Sequence, residues 1–211
     1  MMKKKSVIVL NILMVACLVA GLVIMVMHNG TEQELVASNG LENLKFYTVL
    51  SNIFCGVMAA VFLLLRGKTP GWLMTLKLAA AASVAVTFLV VACFLGVLYG
   101  HRYMYLGSNF FFHLTLPLLG MIEFCLLEET ISFRKTFFAS IPTLLYGSVY
   151  LGNILINGTG EWPNTNDWYG FYRWGLGGAL VIFAAIVLIS WGVACLLRFI
   201  NLRVNRPAKN Q

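Results

Sequence analysis

The dominant pattern is long apolar stretches separated by short polar breaks. Six runs stand out: Ser6–Met27, Phe46–Leu65, Trp72–Tyr99, Ser108–Leu127, Thr136–Asn157 and Trp174–Arg198. Each holds about 20 or more residues, enough for a helix to cross hydrocarbon. The alternating ten-residue segments of a membrane β-barrel are absent. The pattern therefore predicts an all-α, polytopic integral membrane protein, a single domain over residues 1–211 built as a six-helix bundle. Residues 1–21 resemble a signal peptide, with Lys3, Lys4 and Lys5 before an apolar core. The apolar run continues to Met27, so a retained first helix is expected.

Polar positions inside these runs fall on faces. In the second run Thr48, Ser51, Asn52, Cys55 and Gly56 recur at helical spacing, opposite a Leu, Val, Met and Phe face. In the fourth, Asn109, His113, Pro117, Gly120 and Glu123 mark one side. Pro117 removes the hydrogen bond to the carbonyl of His113 and is expected to bend the helix. In the fifth, Thr143, Tyr146, Gly147, Tyr150, Asn153 and Asn157 form a third stripe. The first, third and sixth runs are plainer. Lys77 lies near the end of the third, where a lysine can snorkel to the interface. Glu123 is the one acid deep in a span, and pairing with Lys77 is geometrically open.

Composition agrees with a membrane protein. Sixty per cent of residues are hydrophobic and 11% charged, with a mean hydropathy of +0.83. A soluble domain carries about 25% charge, so a soluble enzyme, a nucleic-acid binder and a disordered chain are excluded. The net charge of +7 sorts by topology. With the N-terminus inside, twelve of the 15 basic residues fall on the inner side, leaving Lys45, Arg102 and Arg173 outside. Glu32, Glu34, Glu42, Glu161 and Asp167 also fall outside. The positive-inside rule then puts both termini in the cytoplasm, and the Lys-rich start suits a bacterial plasma membrane. Cys17, Cys55, Cys93, Cys125 and Cys195 form no CxxC pair or Cys/His cluster, so neither disulfides nor a metal are expected. No cofactor is implied. A homo-oligomer is compatible with the sequence.

The outer segment 158–173 carries five aromatics among polar and turn-forming residues. Two readings stand: an interfacial aromatic belt, or a lid over a site. Asn157-Gly-Thr159 matches an N-glycosylation sequon too close to the membrane to be a good acceptor.

Counted from the helix ends, Thr48 and His113 lie at depths differing by about 4–5 Å. The stripes thus converge in the outer half of the bundle. A Thr hydroxyl activated by an imidazole is a possible nucleophile, with Asn52 or Asn109 as an oxyanion donor and Tyr150 orienting or donating. Ser51, Tyr146, Asn153 and Glu123 join these as supporting or substrate-binding candidates.

Lys45-Phe-Tyr-Thr-Val-Leu-Ser-Asn52, His113-Leu-Thr-Leu-Pro117 and Pro142-Thr-Leu-Leu-Tyr146 with Tyr150 resemble the androgen-induced-gene (FAR/AIG-like) superfamily, and more closely its small bacterial-type relatives. The resemblance implies six helices and, from the characterised animal members, metal-independent hydrolysis of fatty acid esters of hydroxy fatty acids. Thr48 matches the family's threonine and His113 its histidine. The His-to-Pro interval here is one residue shorter than in the animal enzymes. The expectation is an intramembrane threonine hydrolase acting on a membrane lipid or acyl ester. The alternative is a small-molecule or lipid-binding component of a transporter, without catalysis. For that, Ala16 and Ala20 offer a small-xxx-small contact to a partner helix.

Overall fold

The computed structural model describes residues 2–27, 40–161 and 164–206. Glu32 and Glu34, Trp162 and Pro163 of the outer segment, and Lys209 among the inner basic residues lie outside these. The described chain is all-helical, and six helices are long and apolar enough to span a membrane. They run over Lys3–Met27, Tyr47–Leu64, Gly71–Leu98, Ser108–Leu126, Lys135–Asn157 and Phe171–Val204, and their main α-helical stretches are α1 (Met2–Met27), α2 (Tyr47–Leu64), α3 (Gly71–Val90), α4 (Leu116–Leu126), α5 (Ile141–Asn157) and α6 (Gly175–Val204). Helix α3 continues through a π-helical turn, Val91–Leu95, into Gly96–Tyr99. Helix α4 is preceded without a break by Ser108–Phe110 and a π-helical turn, Phe111–Thr115. The sixth helix runs past Arg198 to Val204, and a short turn, Lys135–Phe138, precedes α5.

The start of α1, the α2–α3 and α4–α5 links and the end of α6 gather most of the lysines and arginines. This is called the basic end below. The opposite, aromatic end carries residues 40–46, 100–107 and 158–174.

Helix α3 is the centre of the bundle. Every residue from Leu78 to Thr87 is buried, and α3 packs against α2, α4, α5 and α6. A helix buried on all sides needs small side chains to let its neighbours approach, because apolar surface gains little by leaving lipid for protein. Ala79–Ala82 and Ser83 supply them. Helix α1 packs on α2 and α4, while α5 packs on α6 and α3. Glycines mark the tightest crossings. A β-carbon on Gly56 would meet Leu18 at 2.4 Å, one on Gly120 would meet Cys55 at 2.8 Å, and one on Gly147 would meet the Phe183 ring at 1.7 Å. The outward faces of α1 and α6 expose Val9, Ile12, Val19, Val181, Leu188 and Phe199.

Lys77 does not snorkel. It is 3% exposed and Glu123 1% exposed. Its Nζ donates to Glu123 Oε1 at 2.7 Å and to Asn11 Oδ1 at 2.8 Å. Asn11 Nδ2 donates to the same Glu123 oxygen at 2.8 Å and to the Val7 carbonyl. The ammonium also lies 4.8 Å from the Phe62 ring centroid. The expected route outward is closed because α1 and α2 cover this part of α3, with Phe62 over the ammonium. The cluster ties α1, α3 and α4 together near the basic end.

The link after α4 is fastened to α6. Asn201 donates to the carbonyls of Phe124 and Leu127, Asn205 to those of Cys125 and Leu127, and Arg198 to that of Ile131. The two asparagines satisfy carbonyls that α4 leaves open at its C-terminus, and Arg198 holds the link beyond it.

Candidate functional site

Thr48 occupies the first turn of α2 and is half-buried. Its hydroxyl makes no hydrogen bond among the described residues. Its carbonyl accepts from Asn52 Nδ2 at 2.7 Å and from Ser51 Oγ at 3.0 Å. Asn52 is fully buried, and the same Nδ2 donates to the Phe112 carbonyl at 2.8 Å. One amide therefore holds the Thr48 turn of α2 against the residue preceding His113. The Thr48 and Phe112 carbonyls thus meet at one amide nitrogen.

His113 is 9% exposed. It sits inside the π-helical turn, two residues after its start and four before Pro117. Pro117 has no N–H to close a regular turn, and the wider turn is how the helix accommodates it. His113 Nδ1 lies 2.7 Å from the Met104 carbonyl. A carbonyl oxygen only accepts, so Nδ1 carries the hydrogen and Nε2 presents its lone pair. Met104 ends the short helix His101–Met104, which packs against Val91–Tyr99 at the end of the third span and lies between Gly100 (φ 92°) and Gly107 (φ 55°). Both glycines adopt conformations that other residues rarely take. This loop thereby orients the imidazole, the role that a third group plays for a catalytic base.

The remaining candidates divide. Both N–H groups of Asn52 are directed at carbonyls, so its amide does not face an oxyanion. Asn109, half-buried in the first turn of the fourth span, has a side chain without a hydrogen bond among the described residues. Ser51 Oγ bonds Thr87 Oγ1 on α3 at 3.0 Å. Tyr146, Tyr150 and Asn153 turn instead to the aromatic end. Tyr146 donates to the Lys45 carbonyl at 2.6 Å and accepts from Trp168 Nε1 at 3.1 Å. Tyr150 donates to Asp167 Oδ1, and Asp167 Oδ2 accepts the Tyr172 N–H at 3.1 Å. Asn153 donates to Asn166 at 3.1 Å. Glu123 belongs to the buried cluster near the basic end and not to the Thr48–His113 region.

Residues 164–174 thus fold down over the ends of α2 and α5. Tyr169 Oη accepts the Tyr47 N–H at 2.8 Å, closing an open donor at the start of α2. Tyr150 meets Trp168, Tyr169 and Phe171 with ring centroids 5.0–5.7 Å apart. Burial pushes the Tyr169 hydroxyl well above the usual tyrosine range. The segment is a cap fastened to the bundle by hydrogen bonds and ring contacts.

Sequence reading missed Asn11, whose signal was a lone amide in an otherwise apolar first span. It also missed Tyr169 and Asp167 as the cap's anchors, and Met104, which acts through its backbone and leaves no trace in its side chain. A cavity of about 80 Å³ at the basic end touches Lys4, Phe62, Thr69 and Glu128, and an open hollow of about 320 Å³ within residues 159–173 touches Thr159, Asp167 and Arg173. Neither is lined by Thr48 or His113. Among the described residues no group of three His, Cys, Asp or Glu side chains is placed to hold a metal ion. No family model, no curated protein and no solved structure matches this chain.

Proposed function

We propose that the protein is an intramembrane hydrolase of lipid acyl esters, with Thr48 as nucleophile and His113 as base. The observation that carries this reading is the Met104 carbonyl on His113 Nδ1, which leaves Nε2 as a proton acceptor. The Asn52 clamp between the Thr48 and Phe112 carbonyls supports it, as does the resemblance of both motifs to the androgen-induced-gene superfamily. In the proposed reaction Thr48 Oγ1 attacks the ester carbonyl while Nε2 takes its proton. The tetrahedral intermediate expels the alcohol, which receives that proton from His113. Water then attacks the acyl-threonine, again losing its proton to Nε2. The carboxylic acid departs as Thr48 regains its hydrogen. Asn109 is the side-chain amide free to donate to the oxyanion. Substrate would enter sideways from lipid, since both residues lie in helices apolar enough to span a membrane. By its distribution of basic residues the chain would sit in a plasma membrane with both termini cytoplasmic.

An alkyl fluorophosphonate probe tests this. Wild type in bilayer nanodiscs should label, while Thr48→Ala and His113→Ala should not. Equal labelling of all three would sink the reading. The second reading is lipid or small-molecule binding without catalysis, and the hollow of about 320 Å³ within the cap segment favours it. A small molecule that co-purifies with an unlabelled wild type would support this reading instead.

A further inference from the structure

Lysines and arginines dominate the basic end, yet the link after α4 opens with two acids, Glu128 and Glu129. Both border the cavity of about 80 Å³ there, together with Lys4 of α1 and Thr69 of the α2–α3 link. Val7, Phe62 and Leu127 form its apolar wall. Gly67 meets two of these parts. A β-carbon there would stand 3.6 Å from the tip of the Phe62 ring and 3.8 Å from Lys4 Cε, and its φ of 74° suits glycine. The Lys4 stem is thus laid against the cavity beside the Phe62 ring. The polar groups around this space are unmatched. The Thr69 hydroxyl oxygen is enclosed and has no hydrogen-bond partner among the described residues, a state that calls for one. Among the same residues Lys4 pairs with neither Glu128 nor Glu129, although all three border one small cavity. Opposite charges held apart around one space suit a group that carries both signs. The depth is also defined. The bordering spans begin at Lys3 and Gly71 and end at Leu64 and Leu126. The four polar residues therefore lie within a few residues of span ends, where lipid headgroups replace hydrocarbon.

We propose that this cavity binds the headgroup of a phosphatidylethanolamine from the leaflet at the basic end, with its phosphate on Lys4 and Thr69 and its ammonium on Glu128 and Glu129. The ligand supplies what each side chain lacks. Phosphate oxygens accept from the Lys4 ammonium and the Thr69 hydroxyl, and the N–H groups of the lipid ammonium donate to the carboxylates. The apolar wall takes the ethanolamine methylenes. A purely anionic headgroup meets the two glutamates as like charges. Phosphatidylcholine has no N–H to donate and brings three methyl groups into a small space. Thr48 and His113 do not border this cavity, so the site is independent of the hydrolase reading.

Delipidated full-length protein in detergent micelles provides the test. It is titrated with phosphatidylethanolamine, phosphatidylcholine and phosphatidylglycerol of identical chains, and retained lipid is read by native mass spectrometry. Phosphatidylethanolamine should be retained at about tenfold lower concentration than either other lipid, the worth of one charge-assisted hydrogen bond. Glu128→Gln/Glu129→Gln should lose that preference, and Thr69→Val should weaken phosphatidylethanolamine binding. Both glutamates are exposed, so the double variant keeps its fold. Equal retention of the three lipids, or a preference for phosphatidylglycerol, overturns the proposal. A phosphatidylethanolamine preference that survives the double variant puts the lipid elsewhere and overturns the site. Soluble phosphoethanolamine separates a lipid from a free solute. Failure to displace the lipid at equal concentration supports the lipid assignment, and full displacement overturns it.

Discussion

The buried Lys77–Glu123–Asn11 cluster makes the most exacting prediction about stability. Glu123 Oε1 accepts from both Lys77 at 2.7 Å and Asn11 at 2.8 Å, and both ionisable side chains are almost fully enclosed. If the pair is ionic, Glu123→Gln leaves a buried ammonium with no counter-charge, at a cost of about 3–5 kcal/mol. If it is a neutral hydrogen bond, the loss is only about 0.6 kcal/mol, the average for hydrogen bonds between membrane helices, and at most about 1.7. The two cases are separated by more than the error of a stability measurement. The structure favours the ionic case. Lys77 has a carboxylate, an amide oxygen and the Phe62 ring around it, all suited to a cation. Replacing both partners by methionine removes the stranded charge and leaves mainly Asn11 Oδ1 without its donor, about 1–3 kcal/mol. The double variant Lys77→Met/Glu123→Met should therefore be more stable than Glu123→Gln alone. The assay is reversible unfolding in mixed micelles for wild type, both single variants and the double. Single variants within about 0.5 kcal/mol of wild type, or a double variant destabilised by the sum of the singles, would refute the ionic account.

Other outcomes follow from the cap and the helix crossings. Gly147→Ala places a β-carbon 1.7 Å from the Phe183 ring, so it should cost about 1–3 kcal/mol. Phe183→Leu should recover part of that loss in the same unfolding assay; no recovery would mean that the α5–α6 crossing is not set by this contact. Tyr150→Phe removes the donor to Asp167, a hydrogen bond to a charged group worth about 1.5–3 kcal/mol. Trypsin cleavage after the exposed Arg173 should then accelerate by roughly tenfold or more, and an unchanged rate would detach the cap's closure from this bond. Because the Tyr169 hydroxyl is raised well above the usual range by burial, its contribution to cap stability is complete below about pH 10 and lost as pH climbs past that value. Trp168 fluorescence should report opening only on the alkaline side, and Tyr169→Phe should reduce that transition, leaving what Tyr146 and Tyr150 contribute. A cap that opens near neutral pH would contradict the assignment.

The six spans were readable because each is a long apolar run, and lipid enforces helix on such runs with few alternatives. The inward stripe of α2 was readable for a related reason. Ser51, Asn52, Cys55 and Gly56 recur at helical spacing, and all four are buried. The disturbance around His113 was visible through Pro117, and it takes the form of a π-helical turn. The centrality of α3 was not visible. In water the most apolar helix is the most buried, whereas in lipid hydropathy does not rank helices. Size does: the run Ala79–Ala82 was the signal, and it looked plain only because it lacks polarity. Lys77 was misjudged on depth alone, since a position near a span's end permits snorkelling only if no helix lies across the path.

Partner choice was the other illegible quantity, and it bears directly on function. Tyr146, Tyr150 and Asn153 share the helical spacing of a polar stripe with Thr143, yet they serve the cap, while Thr143 bonds Tyr47 and Ser190 within the bundle. Spacing shows which residues share a face but not which donors meet which acceptors. Once that is known, the polar groups separate by whether their hydrogen bonding is complete. Near the basic end Lys77, Asn11 and Glu123 bond one another, and in the cap Tyr150, Asp167, Tyr146 and Trp168 have named partners. Those groups account for their own burial by holding helices and loop in place. Around Thr48 the matching fails. The Thr48 hydroxyl is unbonded, Asn52 Oδ1 has no donor, and His113 Nε2 is an acceptor facing none. A chain under selection for stability alone would fill such a position with apolar side chains, at no loss to packing. Buried oxygens without a partner also occur at Thr69, Ser140 and Asn201, so what sets the α2–fourth-span contact apart is that its acceptor lies on the amide joining the Thr48 turn to the residue before His113.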